Sequence, residues 1–165
     1  MRGALTHDRL GALVTQRAYL TPDAFVWFCA RATALQSLSM PVRLYGLVTW
    51  TTHRRLPLIH AELAEFLRRA LPKIAERHET RIIEIGIVSN HVHLVVELSS
   101  RPDIARLLQG LKGASARVAN RDGYMPRARL KWANGYDFRS LGVRDLQRAI
   151  DYVRNQPTRH PDLAI

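Results

Sequence analysis

His91-Val92-His93 and the later pair Tyr152 and Gln156 are the residues of this chain whose types and spacing could do chemistry. Side chains two apart on a strand point to the same side. His91 and His93 therefore project together with Val95 and Glu97, while Val92, Leu94, Val96 and Leu98 face the other way. Strand rise separates the roots of the two imidazoles by about 7 Å, close enough to converge on one ion. Taken alone, the pair reads more readily as two histidines on a solvated sheet face, because short motifs recur by coincidence. A third ligand and a reactive group elsewhere would decide.

Tyr152 and Gln156 supply those candidates. A tyrosine hydroxyl titrates near 10 and is a poor nucleophile at neutral pH, unless a nearby metal stabilises the phenolate and orients a phosphate. Gln156 offers a neutral carbonyl oxygen, a hard ligand. Four residues apart on a helix, the two are neighbours, on the flank of a stripe made by Leu146, Ala149, Ile150 and Val153. The plain alternative makes Tyr152 a boundary packing residue and Gln156 a polar helix end.

The elements that must position these residues follow from periodicity. Val42, Leu44, Val48 and Trp50 alternate with Arg43, Tyr45, Leu47 and Thr49 as in a strand. A helix is expected from Pro57 to about His78, with Ile59, Leu63, Phe66, Leu67, Ala70, Leu71 and Ile74 as its apolar stripe. A strand over 81–88 places Ile83, Ile85 and Ile87 on one face. Ser89-Asn90 turns the chain back along 91–98, making a hairpin. A second helix runs from about Pro102 to Asn120 with Ile104, Leu107, Leu108, Leu111 and Val118 inward. A loop to about Gly135, an extended piece over 136–141 and a last helix over 143–156 complete the pattern, and Pro157 disfavours continuation. The order strand, helix, strand, strand, helix, strand, helix is the α+β, ferredoxin-like split βαβ arrangement. Helices are expected on one sheet face, with the other face open and the tyrosine carried by the added C-terminal helix. Residues 1–40 read as an N-terminal extension of unknown role, with a helix at 21–38 that Thr21 would cap and Pro22 would open. Met40-Pro41 marks its boundary with a domain over 41–165, and Met40 is a second candidate start.

Charge narrows the partner. Of 165 residues, 25 are Lys or Arg and 14 Asp or Glu, a formal net charge of +11. Such an excess favours a polyanion, nucleic acid before an anionic membrane surface. Cys29 stands alone, which excludes an internal disulfide and a cysteine-based zinc site and suits a reducing cytoplasm, the expected location. No apolar run approaches the roughly 20 residues of a membrane span, and Met1–Ala12 lacks the apolar core of a secretory signal.

Taken together, these pieces resemble the HUH-superfamily single-tyrosine transposases of the insertion-sequence 200/605 type, with the REP-associated tyrosine transposases as relatives. The stretches that carry the resemblance are 45–55 (YGLVTWTTHRR), 89–96 (SNHVHLVV), 111–117 (LKGASAR), 132–136 (WANGY), 140–142 (SLG) and 151–156 (DYVRNQ). They lie in the family's order within residues 42–160. The resemblance implies that His91, His93 and Gln156 hold Mg²⁺, with Mn²⁺ able to substitute, and that Tyr152 attacks a DNA phosphate. A 5′-phosphotyrosine link and a free 3′-hydroxyl would result, and attack by another 3′-hydroxyl would rejoin strands. It further implies a homodimer, in which the tyrosine helix can serve the partner's histidines, acting on single-stranded DNA with hairpin ends. One departure is Gly46, where the family often has a histidine; it leaves the catalytic set untouched.

DNA-contact candidates are Arg54 and Arg55 after the first strand, Lys112 and Arg117 on the second helix, and Arg127, Arg129 and Lys131 leading into Trp132. Cations mixed with an aromatic can hold phosphates and stack an unpaired base. Each cation could equally be a solvated surface charge, and Trp132 could instead anchor its loop to the core. Two rival functions stand beside the transposase: a non-catalytic DNA-binding derivative, which would bind without cleaving, and a replication-initiator nickase, which commonly has a longer chain.

Overall fold

A computed structural model of the protein describes residues 42–125 and 128–165. The extension 1–40, its expected helix at 21–38 and the candidate Arg127 lie outside the described residues. Four strands and three principal helices run in the order β1 (Leu44–Thr51), α1 (Ala61–Glu76), β2 (Arg81–Val88), β3 (His91–Leu98), α2 (Ile104–Arg121), β4 (Asp137–Leu141) and α3 (Leu146–Arg154). The sheet order is β2-β3-β1-β4, and every neighbouring pair is antiparallel. The α+β, split βαβ expectation is met: β3 lies between β1 and β2.

The hairpin boundaries agree with the alternation of the sequence, since Ser89-Asn90 separates two eight-residue strands. Asp103 caps α2, its carboxylate accepting from the Arg106 amide at 2.9 Å. α1 begins at Ala61 instead of Pro57, because His60 is the N-cap and its ring nitrogen accepts from Leu63 N–H. The Pro57–Ile59 stretch stays outside the helix, and Ile59 N–H bonds to Ser89 O at 2.9 Å.

Three expectations need correction. The expected strand face of Ile83, Ile85 and Ile87 is split by a register shift between Ile82 and Glu84. Such a bulge turns successive side chains to new faces, so Ile82, Ile85 and Ile87 join one apolar cluster and Ile83 the other. The last helix is not continuous over 143–156. A tight turn at Val143–Asp145 precedes α3, and a separate helical turn, Gln156–Arg159, follows Asn155. Pro157 lacks the N–H a continuing helix would need but is tolerated in a first turn, so the chain leaves one helix at Asn155 and starts another with Pro157 in its first turn. Finally, the second sheet face is not open. α1 and α2 cover one face, and α3 packs on β2 and β3 on the other.

The two layers differ in size. Val48, Trp50, Val92, Leu94, Val96 and Leu98 meet α1 and α2 in the main core. Across the sheet, buried Val95, Ala149 and Val153 form a small cluster with partly buried Leu47, Ile83, Leu146, Ile150 and Tyr152. β3 thus feeds both, alternating as its sequence does. Gly46 is also explained: a Cβ there would sit 2.4 Å from the Phe138 ring on β4. The ring occupies the space that any side chain at Gly46 would need.

Candidate active site

β3 delivers the two histidines to the small-cluster face. Their ring centroids are 4.8 Å apart with planes at 84°. Each ring is held through Nδ1. Thr49 Oγ1, from the paired position of β1, lies 2.7 Å from His93 Nδ1. Asn90 Oδ1 lies 2.6 Å from His91 Nδ1. With Nδ1–H donating to these oxygens, each Nε2 keeps its lone pair, the arrangement in which neighbouring acceptors orient metal-binding imidazoles.

Burial lowers the pKa of His93 to about 4, with further lowering by His91 and His160 and an opposing effect of Asp137. His91 is also lowered, first by burial, then by the charge of His160; the Gln156 side chain acts in the opposite direction and Arg55 again lowers it. Taking a charge out of water disfavours it, so both rings are neutral near pH 7, the protonation state a metal requires.

α3 brings Tyr152 to this pair. Its ring lies edge-on to His93 with centroids 5.6 Å apart. Close docking of the helix depends on Gly86, which pairs with His93 across the sheet. A Cβ at Gly86 would come within 2.4 Å of Val153 O and 3.0 Å of Gln156 Cγ. The Arg154–Glu84 ion pair, 2.8 Å, fastens the helix end to β2. Ser89 N–H donates to Leu163 O at 2.8 Å, which ties the C-terminal segment to the β2–β3 turn beside His91.

Gln156 is completely buried. Its Nε2 donates to Tyr152 O at 3.2 Å. The side chain lies near enough to His91 to influence it, but its buried Oε1 meets no donor in hydrogen-bonding geometry. A buried carbonyl oxygen left unpaired costs about 1–3 kcal/mol, and a cation at that oxygen would satisfy it. Among the described residues no three His, Cys, Asp or Glu side chains gather into a metal-sized group. The donors that fit an ion are the two imidazoles and this amide oxygen, a mixed nitrogen and oxygen set suited to several divalent metals.

His91, His93, Tyr152 and Gln156 are thus brought together. The DNA-contact candidates are not all placed with them. Arg55 is near enough to influence His91, and Arg54 and Arg55 both adopt left-handed backbone, φ 54° and 55°. Lys112, Lys131 and Trp132 line another cleft of about 580 Å³, with α2 and the 130–136 segment. There Lys112 Nζ donates to Asn134 O and Gly135 O at 3.1 and 3.0 Å, and desolvation lowers its pKa. Trp132 is only 7% exposed, meets Trp50 edge-on at 5.8 Å and donates from Nε1 to Ser115 Oγ at 3.2 Å. It anchors its segment to the core and is not an open stacking platform. Arg117 and Arg129 are exposed.

Two residues that sequence reasoning missed lie at the histidine pair and the tyrosine. His160 lies 5.5 Å from His91 by ring centroid. The Arg159 guanidinium stands 5.1 Å over the Tyr152 ring. With Thr49, His93, Asp137, Arg139, Arg148 and Tyr152, Arg159 lines a cleft of about 830 Å³. Both missed residues follow Pro157, where helical spacing no longer indicates which way a side chain points.

Comparison with known proteins agrees with this arrangement. The family described as Transposase IS200 like matches residues 42–156, and the chain belongs to that family. The ISDra2 transposase TnpA of Deinococcus radiodurans is 31% identical over 68 residues, 41% of this chain and 49% of that protein. The match therefore spans about half the length of that relative. A crystal structure from Deinococcus radiodurans R1, assigned as a transposase, shares the fold with a TM-score of 0.56 at 23% identity, covering 72% of this chain and 94% of that one. The structure of a REP-associated tyrosine transposase bound to a REP hairpin aligns with a TM-score of 0.56 at 16% identity, covering 74% of this chain and 72% of that one. No helix among the described residues is long and apolar enough to cross a membrane.

Proposed function

We propose that this protein cleaves and rejoins single-stranded DNA at hairpin-bearing ends, with Tyr152 as nucleophile and a divalent ion, Mg²⁺ or Mn²⁺, held by His91, His93 and Gln156. The observation that carries the reading is the meeting of two neutral imidazoles, a phenol and an unpaired buried amide oxygen, with His93 and Tyr152 opening onto one cleft. Tyr152 Oη attacks phosphorus, the bond to the 3′ oxygen breaks, and the phenolic proton leaves to solvent in the open cleft. The departing 3′ oxygen takes a proton from solvent and is released as a hydroxyl, while the 5′ side stays esterified to the enzyme. A second 3′-hydroxyl reverses the step, so rejoining needs no outside energy source. When bound, the ion supplies charge stabilisation at the phosphate oxygens and favours the phenolate. Thr49 and Asn90 keep the rings aimed, and Gln156 ties the position of the ion to the backbone of Tyr152.

Family membership and the positive charge support DNA as substrate. The hairpin carried by the REP-associated neighbour supports hairpin ends. A homodimer is part of the reading through the family resemblance, although Tyr152 lies beside His93 of its own chain. The test uses hairpin-bearing single strands taken from the DNA flanking the coding gene. With Mg²⁺, the wild type should form a covalent adduct that survives denaturing electrophoresis. Tyr152→Phe and added chelator should each abolish it. An adduct that persists in Tyr152→Phe would remove the tyrosine from its role. Binding with no adduct in the wild type would favour the non-catalytic derivative.

A further inference from the structure

Arg159 is not explained by the nucleophile and ion alone. It sits on the helical turn that begins with buried Gln156, and its guanidinium lies over the Tyr152 ring at 5.1 Å. That distance is within the range of a favourable cation–π contact, which holds a flexible side chain beside the phenol. The charges lining the cleft give this position its meaning. The cleft borders three arginines, Arg139, Arg148 and Arg159, and three aspartates, Asp137, Asp145 and Asp151. Arg139 pairs with Asp137 at 3.0 Å, and Asp151 accepts from Gln147 Nε2 at 3.0 Å. Among the described residues, Arg148 and Arg159 make no ion pair. Of the two, Arg159 stands at the nucleophile.

We propose that Arg159 is a catalytic phosphate clamp, its guanidinium holding a non-bridging oxygen of the phosphate that Tyr152 attacks. The inference rests on the tyrosine-nucleophile reading above. Negative charge is spread over the non-bridging oxygens as phosphorus is attacked, and a planar guanidinium can meet two of them at once. The side chain stays over the ring between turnovers and moves to the phosphate when the strand enters. Arg148, on α3 in the same cleft, meets a neighbouring phosphate of the strand and adds to binding.

The test measures adduct formation on the same hairpin-bearing single strands, at saturating and limiting DNA, beside strand binding by fluorescence anisotropy. Arg159→Ala should lower the saturated rate by about 100-fold, the scale set by loss of one transition-state donor, while strand affinity changes little. Arg159→Lys should recover part of the rate, and guanidinium ion at a non-denaturing concentration should raise the rate of Arg159→Ala but not that of the wild type. An Arg159→Ala enzyme as fast as wild type would overturn the clamp and leave the tyrosine reading intact. A slow variant rescued by neither lysine nor guanidinium would overturn it as well, since a side chain that only braces the Tyr152 ring gives that pattern. A wild type that forms no adduct would fail the tyrosine reading itself, and the clamp with it.

Discussion

The two faces of the sheet do different work, and β3 shows the division residue by residue. On one face Val92, Leu94, Val96 and Leu98 enter a continuous core under two long helices. On the other, Val95 joins Ala149 and Val153 of a nine-residue helix in a small buried cluster, His93 meets Tyr152 of that helix, and His91 lies beside His93 and His160. Apolar burial contributes about 25 cal/mol per Å², so the large face supplies most of the stability. The small face holds a half-buried phenol, neutral imidazoles and an unpaired amide oxygen, groups whose burial opposes folding. A fold fastened on one side can carry a strained, chemically useful arrangement on the other.

Paired truncations on β3 give the largest effects and could break this comparison. Leu94→Ala should cost about 3–4 kcal/mol, the usual loss for a fully buried leucine with little room to collapse. Val95→Ala removes fewer buried groups beside a thinner layer and should cost about 2 kcal/mol. Urea unfolding followed by circular dichroism measures both. Equal losses would mean that the α3 face contributes to stability as the core does.

The next effect is a pH slope. His93 has a folded pKa of about 4, below its ordinary 6.5. Between those values the unfolded chain binds the proton and the folded chain does not, so stability falls as pH drops through this window and is constant above it. At 1.36 kcal/mol per unit the full difference is about 3 kcal/mol. Metal-free thermal melts from pH 7 to pH 4 should show that decline, and His93→Gln should reduce it, leaving the part that His91, also lowered, contributes. A variant that keeps the wild-type slope would place the titrating group elsewhere.

What the sequence makes legible follows the same division. Alternation along β2 and β3 gives both strand boundaries, and the split βαβ order gives the sheet. His91 and His93 share a face because period two is rigid geometry. Tyr152 and Gln156 prove adjacent, but for a reason other than one helix: the chain breaks at Asn155, and Gln156 opens a new turn whose side chain turns back to Tyr152 O. The bulge at Ile82/Glu84 has no compositional mark, so the change of side at Ile83 is invisible in advance. Arg159 and His160 escape because their placement depends on tail contacts such as Leu163 with Ser89. Trp132 had two open readings, and only its bond to Ser115 and its contact with Trp50 select the anchor. The covered second face is missed because α3 is short and its apolar stripe does not say which side of the sheet it meets.

Gly86 gives the smallest change in global stability and the sharpest separation of the two faces. Its missing side chain lets Val153 O approach to a position 2.4 Å from where a Cβ would lie. A backbone oxygen cannot rotate away as a side chain can, so the helix itself must shift. Gly86→Val should therefore lift α3 from β2, loosen the Arg154–Glu84 pair and draw Tyr152 away from His93. Overpacking of this kind costs about 1–3 kcal/mol, and the low end applies because the core of α1 and α2 does not touch the change. Gly86→Ala should show the same defect in weaker form. The expected signature is a urea midpoint lowered far less than by Leu94→Ala, with adduct formation reduced by about 100-fold because small misplacements of a nucleophile are costly. Hydrogen exchange should report faster opening in 146–159 and unchanged protection in α1 and α2. If exchange rises equally in all the helices, the faces fold as one unit, and the independence of site from core is lost.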